Sequence, residues 1–228
     1  MFIGLDLGTS HLKGIVIDDA QNICAEASFP LNVERPKNSW VEQDPNDWIV
    51  ATENVMASLS VQVKLDQVKA IGLSGQMHGA TILDQNGNVL RPCILWNDTR
   101  SFEEASYLDS KAIFRDLTGN IVFPGFTAPK IAWIKKHEPK IFDQISKVLL
   151  PKDYLRFWLS GEYVAEMSDA AGTSWLDVKK RDWSDDLLAA TGLDRSQMPR
   201  LVEGSEISGL LKGKLAAKWG LPGDGIIA

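Results

Sequence analysis

Residues 3–18 read IGLDLGTSHLKGIVID. Two short apolar runs flank a turn of Gly8, Thr9 and Ser10, and one carboxylate, Asp6, sits inside the first run. The alternation predicts strands over 2–7 and 12–18. Ile3, Leu5 and Leu7 then share one face, and Gly4, Asp6 and Gly8 share the other. The glycines leave room beside Asp6 for another backbone or a ligand to come close. The turn offers backbone N–H groups and two hydroxyls, a combination that suits phosphate oxygens, and Lys13 can reach the same charge.

Local chemistry leaves two readings of this hairpin open. One is an ordinary β-turn with a surface aspartate. The other is a phosphate hairpin in which Asp6 organises Mg2+, an ion that commonly binds one or two carboxylates plus substrate phosphates and keeps several waters. Neither G-x-x-x-x-G-K-[ST] nor G-x-G-x-x-G is present here.

Working outward, a third strand is expected over 23–31, after a turn at 18–22. Asp44 is a good helix N-cap, and Pro45 falls at the first helical position, where its missing N–H costs nothing. Trp48, Ala51, Val55 and Leu59 then repeat at helical spacing. Residues 68–75 read as a buried strand, and 78–96 as a hairpin around Asn86-Gly87. Helices are predicted near 101–116, 128–137, 152–159 and 184–191, with strands at 147–150 and 226–228. Three strands followed by alternating helices and strands argue for an α/β fold with a mixed sheet.

The 228 residues are 44% hydrophobic and 24% charged, with a net charge of −6, which is globular composition without a basic stripe. Nucleic acid is therefore not an expected partner. No apolar stretch approaches the roughly 18–20 residues of a membrane helix, and the N-terminus does not read as a signal peptide. Cys24 and Cys93 read as two buried thiols in a reducing, cytoplasmic compartment. His11, His78 and His137 lack ligand spacing, which speaks against a zinc or iron site. Most of the eight tryptophans are expected in the core, Trp48, Trp133 and Trp158 among them.

The opening hairpin resembles the first phosphate motif of the sugar kinase/Hsp70/actin superfamily. Further stretches narrow the resemblance: WVEQDPNDW (40–48), GLSGQMHGATILD (72–84), LRPCILWNDTR (90–100), PGFTAPKIAW (124–133), LLPKDYLRFWLSGEY (149–163) and MSDAAGTSWLDVKKRDW (167–183). Together they are similar to the FGGY carbohydrate kinases, and most of all to the bacterial branch that acts on D-xylulose. The resemblance implies a ribonuclease-H-like domain with a mixed central sheet and flanking helices. It implies that residues 1–228 form the sugar-binding N-terminal domain, with an ATP-binding C-terminal domain absent from the chain. LPGDGIIA (221–228) ends inside a rising strand. The expectation is a domain cut from a longer protein, whose next segment supplies the general-base aspartate and whose fragment alone is inactive. Homodimers occur in that branch.

The implied reaction is MgATP-dependent phosphorylation of O5 of D-xylulose. Related kinases act on gluconate, ribulose, fuculose or glycerol, and an actin/Hsp70-like ATP switch is the competing class. By resemblance Asp6 is the metal-organising catalytic residue, and Gly8, Thr9, Ser10 and Lys13 hold phosphate. Met77 and His78 touch the sugar, with Gln76 adjacent. A neutral histidine both donates and accepts hydrogen bonds, which suits a polyol, although a satisfied structural histidine is the plainer alternative. Trp96 can wall the pocket with its indole face or belong to the core. Asp98 can accept from sugar hydroxyls, or the N-cap of the following helix falls at Asp98 or Ser101. Asp169 and Trp175 lie in the last stretch as either framework or contact.

Overall fold

The computed structural model describes residues 1–223 and 225–228. The predicted opening meander is present. Strand β1 (Phe2–Leu7) pairs antiparallel with β2 (His11–Ile17), and β2 with β3 (Ile23–Pro30). The short β4 (Glu42–Gln43) leads into helix α1 (Pro45–Gln62). Its cap is as expected: the Asp44 side chain accepts from Asn46 N at 2.9 Å, with Pro45 at the first position. Strand β5 (Ala70–Gly75) then enters beside β1 in parallel. Ile226–Ile227 runs parallel to the far side of β5, and Gly209–Leu210 closes that edge. The six-stranded mixed sheet thus has β1 and β5 at its centre.

One face of this sheet is packed. Ile3, Leu5, Leu7, Leu12 and Val16 are all buried against Trp48, Val55 and Leu59 of α1. Gly14 is what permits this approach, since a Cβ there would lie 2.5 Å from Val55 Cγ1. The opposite face, where Asp6, Lys13 and Ile15 emerge, stays open.

A second core cluster carries the loops that overhang the sheet. It is built on β6 (Thr81–Leu83), β7 (Cys93–Ile94), α2 (Phe102–Asp109), α3 (Ala112–Thr118) and α4 (Thr127–His137). After α5 (Pro139–Phe142) and β8 (Lys147–Leu149), helix α6 (Pro151–Ser160) returns to the sheet, and β9 (Val164–Glu166) leads into the short α7 (Met167–Ala171).

Two expectations need correction, the helix over 101–116 and the burial of Cys24, and a third is met with an addition. The helix over 101–116 is two helices, because Lys111 takes an extended conformation (φ −90°, ψ 112°) between them. Ser110 Oγ donates to the Tyr107 carbonyl at 2.7 Å, a local bond that competes with continuing the helix. The hairpin at 78–96 is present: Gly87 N–H donates to Asp84 O at its tip, Leu90 N to Ile82 O and Ala80 N to Ile94 O join its arms, and β8 pairs with the other side of β6. Cys93 is buried as predicted, whereas Cys24 is exposed. The buried positions of β3 begin at Ala25, and Cys24 points to the uncovered side.

Trp48 and Trp133 are core residues, as the sequence predicts. Trp175 is also framework: its indole is buried and donates to Thr191 Oγ1 at 3.1 Å. No helix among the described residues is long and apolar enough to cross a membrane.

Candidate functional site

The β1–β2 turn projects from the end of the packed sheet. Gly8 N–H is spent on His11 O at 3.0 Å, closing the hairpin, and Ser10 O accepts from Leu31 N. The N–H groups of Thr9 and Ser10 form no bond within the described residues. These two amides and the exposed Lys13 side chain are therefore donors available to an anion, and the exposed Ser10 hydroxyl, 3.2 Å from His11 Nδ1, stands beside them. Gly8 contributes space instead, since a Cβ would meet His11 O at 2.9 Å. The Thr9 hydroxyl is also committed internally, accepting from Trp96 Nε1 at 3.0 Å and donating to Gln76 Oε1 at 3.2 Å.

Asp6 is exposed on the open face, in register with Lys13 on β2 and Ser74 on β5. These side chains line a groove of about 480 Å3 together with Gly4, Ile15 and Gly72. The Asp6 carboxylate makes no hydrogen bond or ion pair with any described residue. Among the described residues no group of three or more His, Cys, Asp and Glu side chains is placed to hold a metal. One free carboxylate suits an ion that arrives with phosphate and keeps its water, as Mg2+ does.

The loop over 76–79 meets the turn through buried amides. Gln76 N–H donates to Leu7 O at 2.7 Å, at the end of β1. Its side-chain Nε2 donates to Gln43 Oε1 at 2.7 Å. Gln43 in turn donates to Thr9 O at 2.7 Å and Asn32 O at 3.0 Å, and its Oε1 also accepts from Trp48 Nε1. Gln76, expected beside the sugar contacts and helping to orient the sugar, is buried, and its amide braces the turn. Gln43, which sequence reasoning missed, is the hub. Its only signal was its place in WVEQDP. Gln43→Leu is expected to lower stability by about 1–3 kcal/mol in urea unfolding, because it orphans several buried partners at once.

Met77 and Trp96 are both roughly half exposed beside this hub. The Trp96 carbonyl sits against Gly125, where a Cβ would lie 2.4 Å away. His78 adopts a left-handed backbone (φ 63°). Its ring meets the edge of Phe126 at 4.7 Å between centroids and lies on Gly172, where a Cβ would come 2.3 Å from its Cε1. Phe126 and Gly172 are further missed members of this wall. Both lie in stretches that had been noticed, but only the fold brings them to His78.

Asp98 does not join the pocket, which corrects that assignment. Its side chain is fully buried, and both oxygens are taken by Val41 N (2.6 Å) and by the Arg100 backbone and guanidinium. Nor does it cap a helix; Ser101 holds that position. Arg100 passes the brace to Glu42 at 2.7 Å and stacks 3.8 Å from the Trp40 ring. The assembly fixes β4 and hence Gln43. Asp169 is likewise engaged, in an ion pair with Lys152 at 3.0 Å.

Burial and the neighbouring Lys130 charge push the His78 imidazole down from 6.5 to about 4. It is neutral at physiological pH, able to donate and accept at once. KM for a polyol is therefore expected to stay flat from about pH 6 to 8 in initial-rate profiles, with no inflection near the ordinary imidazole value. Between 4 and 6.5 the unfolded chain binds more protons at this site than the folded one. Stability is thus expected to fall as pH drops through that window.

Comparison with known proteins bears on what this site serves. The chain is 52% identical over its full length to the xylulose kinase of Escherichia coli strain K12, covering 47% of that protein. It is 50% identical over 97% of its length to the xylulose kinase of Klebsiella pneumoniae, covering 46%. The crystal structure of a xyloylose kinase from Brucella ovis superposes with a TM-score of 0.97 at 56% identity, over 100% of this chain and 47% of that one. The chain thus spans about half the length of the curated relatives it matches. Residues 1–228 match the N-terminal domain of the FGGY family of carbohydrate kinases, and the chain belongs to that family.

Proposed function

We propose that this chain is the sugar-binding half of an ATP-dependent kinase that phosphorylates D-xylulose to D-xylulose 5-phosphate in the cytoplasm. A second, nucleotide-binding domain completes it. The observation that carries the reading is the junction at Thr9: one hydroxyl joins an anion-ready turn to a polyol-ready wall. The relatives' names supply the sugar.

Phosphoryl transfer depends chiefly on alignment and charge neutralisation. Neutral His78 hydrogen-bonds a sugar hydroxyl, Met77 packs beside it, and the Trp96 indole covers C–H groups. The free amides of Thr9 and Ser10, with Lys13, hold the transferring phosphoryl group. Asp6 faces that phosphate and would hold Mg2+. Mg2+ would supply charge neutralisation on the phosphates. A base from the second domain's side takes the hydroxyl proton.

The test is coupled ADP release by the complete kinase, meaning this chain joined to its nucleotide-binding domain. D-xylulose would be compared with D-ribulose, L-fuculose, gluconate, glycerol and no sugar. The expected result is the highest kcat/KM with D-xylulose. Preference for another polyol would overturn the substrate. Sugar-independent turnover at the same rate would replace the kinase with a nucleotide-driven switch.

A further inference from the structure

Lys130 lies in the first turn of α4 and is fully buried. The positive end of a helix is an unfavourable place for a cation, and burial without a carboxylate partner among the described residues adds to the cost. Its Nζ donates to two backbone carbonyls, Gly125 O at 2.6 Å and His78 O at 2.8 Å. The charged and titratable groups around it do not offer a pairing. Asp98 and Arg100, after β7, are spent on each other, and burial pushes the Cys93 thiol on β7 up to about 11.

Burial lowers the Lys130 ammonium from 10.5 to about 7. Charged or neutral, the amine has N–H groups enough for the two carbonyls. The four-carbon stem alone would fill the same volume, so the amine adds only these two bonds. Both go to segments that shape the sugar pocket. One holds the carbonyl of His78, whose left-handed backbone is uncommon for a residue with a Cβ. Thr127 Oγ1 adds a second donor to the same oxygen at 3.2 Å. The other holds Gly125, which abuts the Trp96 carbonyl and precedes Phe126.

We propose that Lys130 is a positioning residue of the sugar pocket: its two carbonyl bonds set the backbone of His78 and the Gly125–Phe126 turn, and so the angle at which imidazole, phenyl ring and indole meet a polyol. It touches no substrate itself. The consequence for catalysis rests on the kinase reading above; the consequence for the His78 ring does not.

Lys130→Met keeps the apolar stem and removes the donors. In the complete kinase it is expected to raise KM for D-xylulose about tenfold while kcat at saturation stays within about twofold. In this chain, without sugar or nucleotide, the His78 imidazole followed by NMR is expected to titrate higher than about 4, because the Lys130 charge is gone while burial remains. Thr127→Val, which removes one donor to the same carbonyl, is expected to move both quantities in the same direction by less. A folded Lys130→Met with unchanged KM and unchanged His78 titration overturns the proposal. If Lys130→Met does not fold, unchanged values in Thr127→Val overturn it instead. Loss of D-xylulose-dependent turnover in the unsubstituted kinase would defeat the kinase reading, and the imidazole titration would still decide the role of Lys130.

Discussion

In the complete kinase, Asp6→Ala is expected to lower kcat by about a hundredfold or more while KM for D-xylulose changes by less than about threefold. The split follows from where the carboxylate stands. Asp6 projects from the open face of β1, opposite Lys13 on one side and Ser74 on the other. His78 and Trp96 lie beyond the end of the strand, across the Thr9 junction. A group on the phosphate side of that junction acts on charge that develops during transfer, and such interactions appear in kcat. Folding should be nearly unaffected, because the side chain is exposed and makes no bond with the described residues. Initial-rate kinetics with D-xylulose and MgATP varied separately measure the split. A rise in sugar KM with kcat preserved would move Asp6 into the sugar pocket.

Gly172→Ala is expected to do the opposite, raising KM for D-xylulose by about tenfold or more with sugar-independent ATP turnover unchanged. Gly172 sits at φ −74° and ψ −2°, a conformation open to any residue, so alanine meets no backbone strain. The added methyl would instead fall 2.3 Å from His78 Cε1 and 2.4 Å from Nδ1. The imidazole must move away from Gly172. His78→Ala provides the parallel deletion and should also weaken sugar use more than basal turnover. Equal losses in both activities for the two variants would make His78 a structural residue.

Much of the scaffold was legible in the sequence because its signals are local. Alternation placed Ile3, Leu5 and Leu7 on the packed face, and Asp44-Pro45 marked the start of α1. The break at Ser110–Lys111 was not legible, since the apolar spacing continues across it and only a side-chain bond diverts the backbone. The site divided in the same way. Asp6, Ser10, Lys13, Met77, His78 and Trp96 were noticed through their stretches, and the fold brings the turn and the wall together. Asp98 misled because a carboxylate just past a strand looks the same in sequence whether it faces a ligand or Arg100. Gln43, Phe126, Lys130 and Gly172 were missed because each acts through a partner distant in the chain.

The most direct test of a polyol wall built on this chain is a titration of the 228-residue protein with D-xylulose, without nucleotide, followed at the His78 imidazole signals by NMR. Saturable shifts at His78, abolished by Gly172→Ala and retained in Asp6→Ala, are the expected result. His78 signals that stay fixed at saturating D-xylulose in a folded chain would contradict a sugar site at this wall.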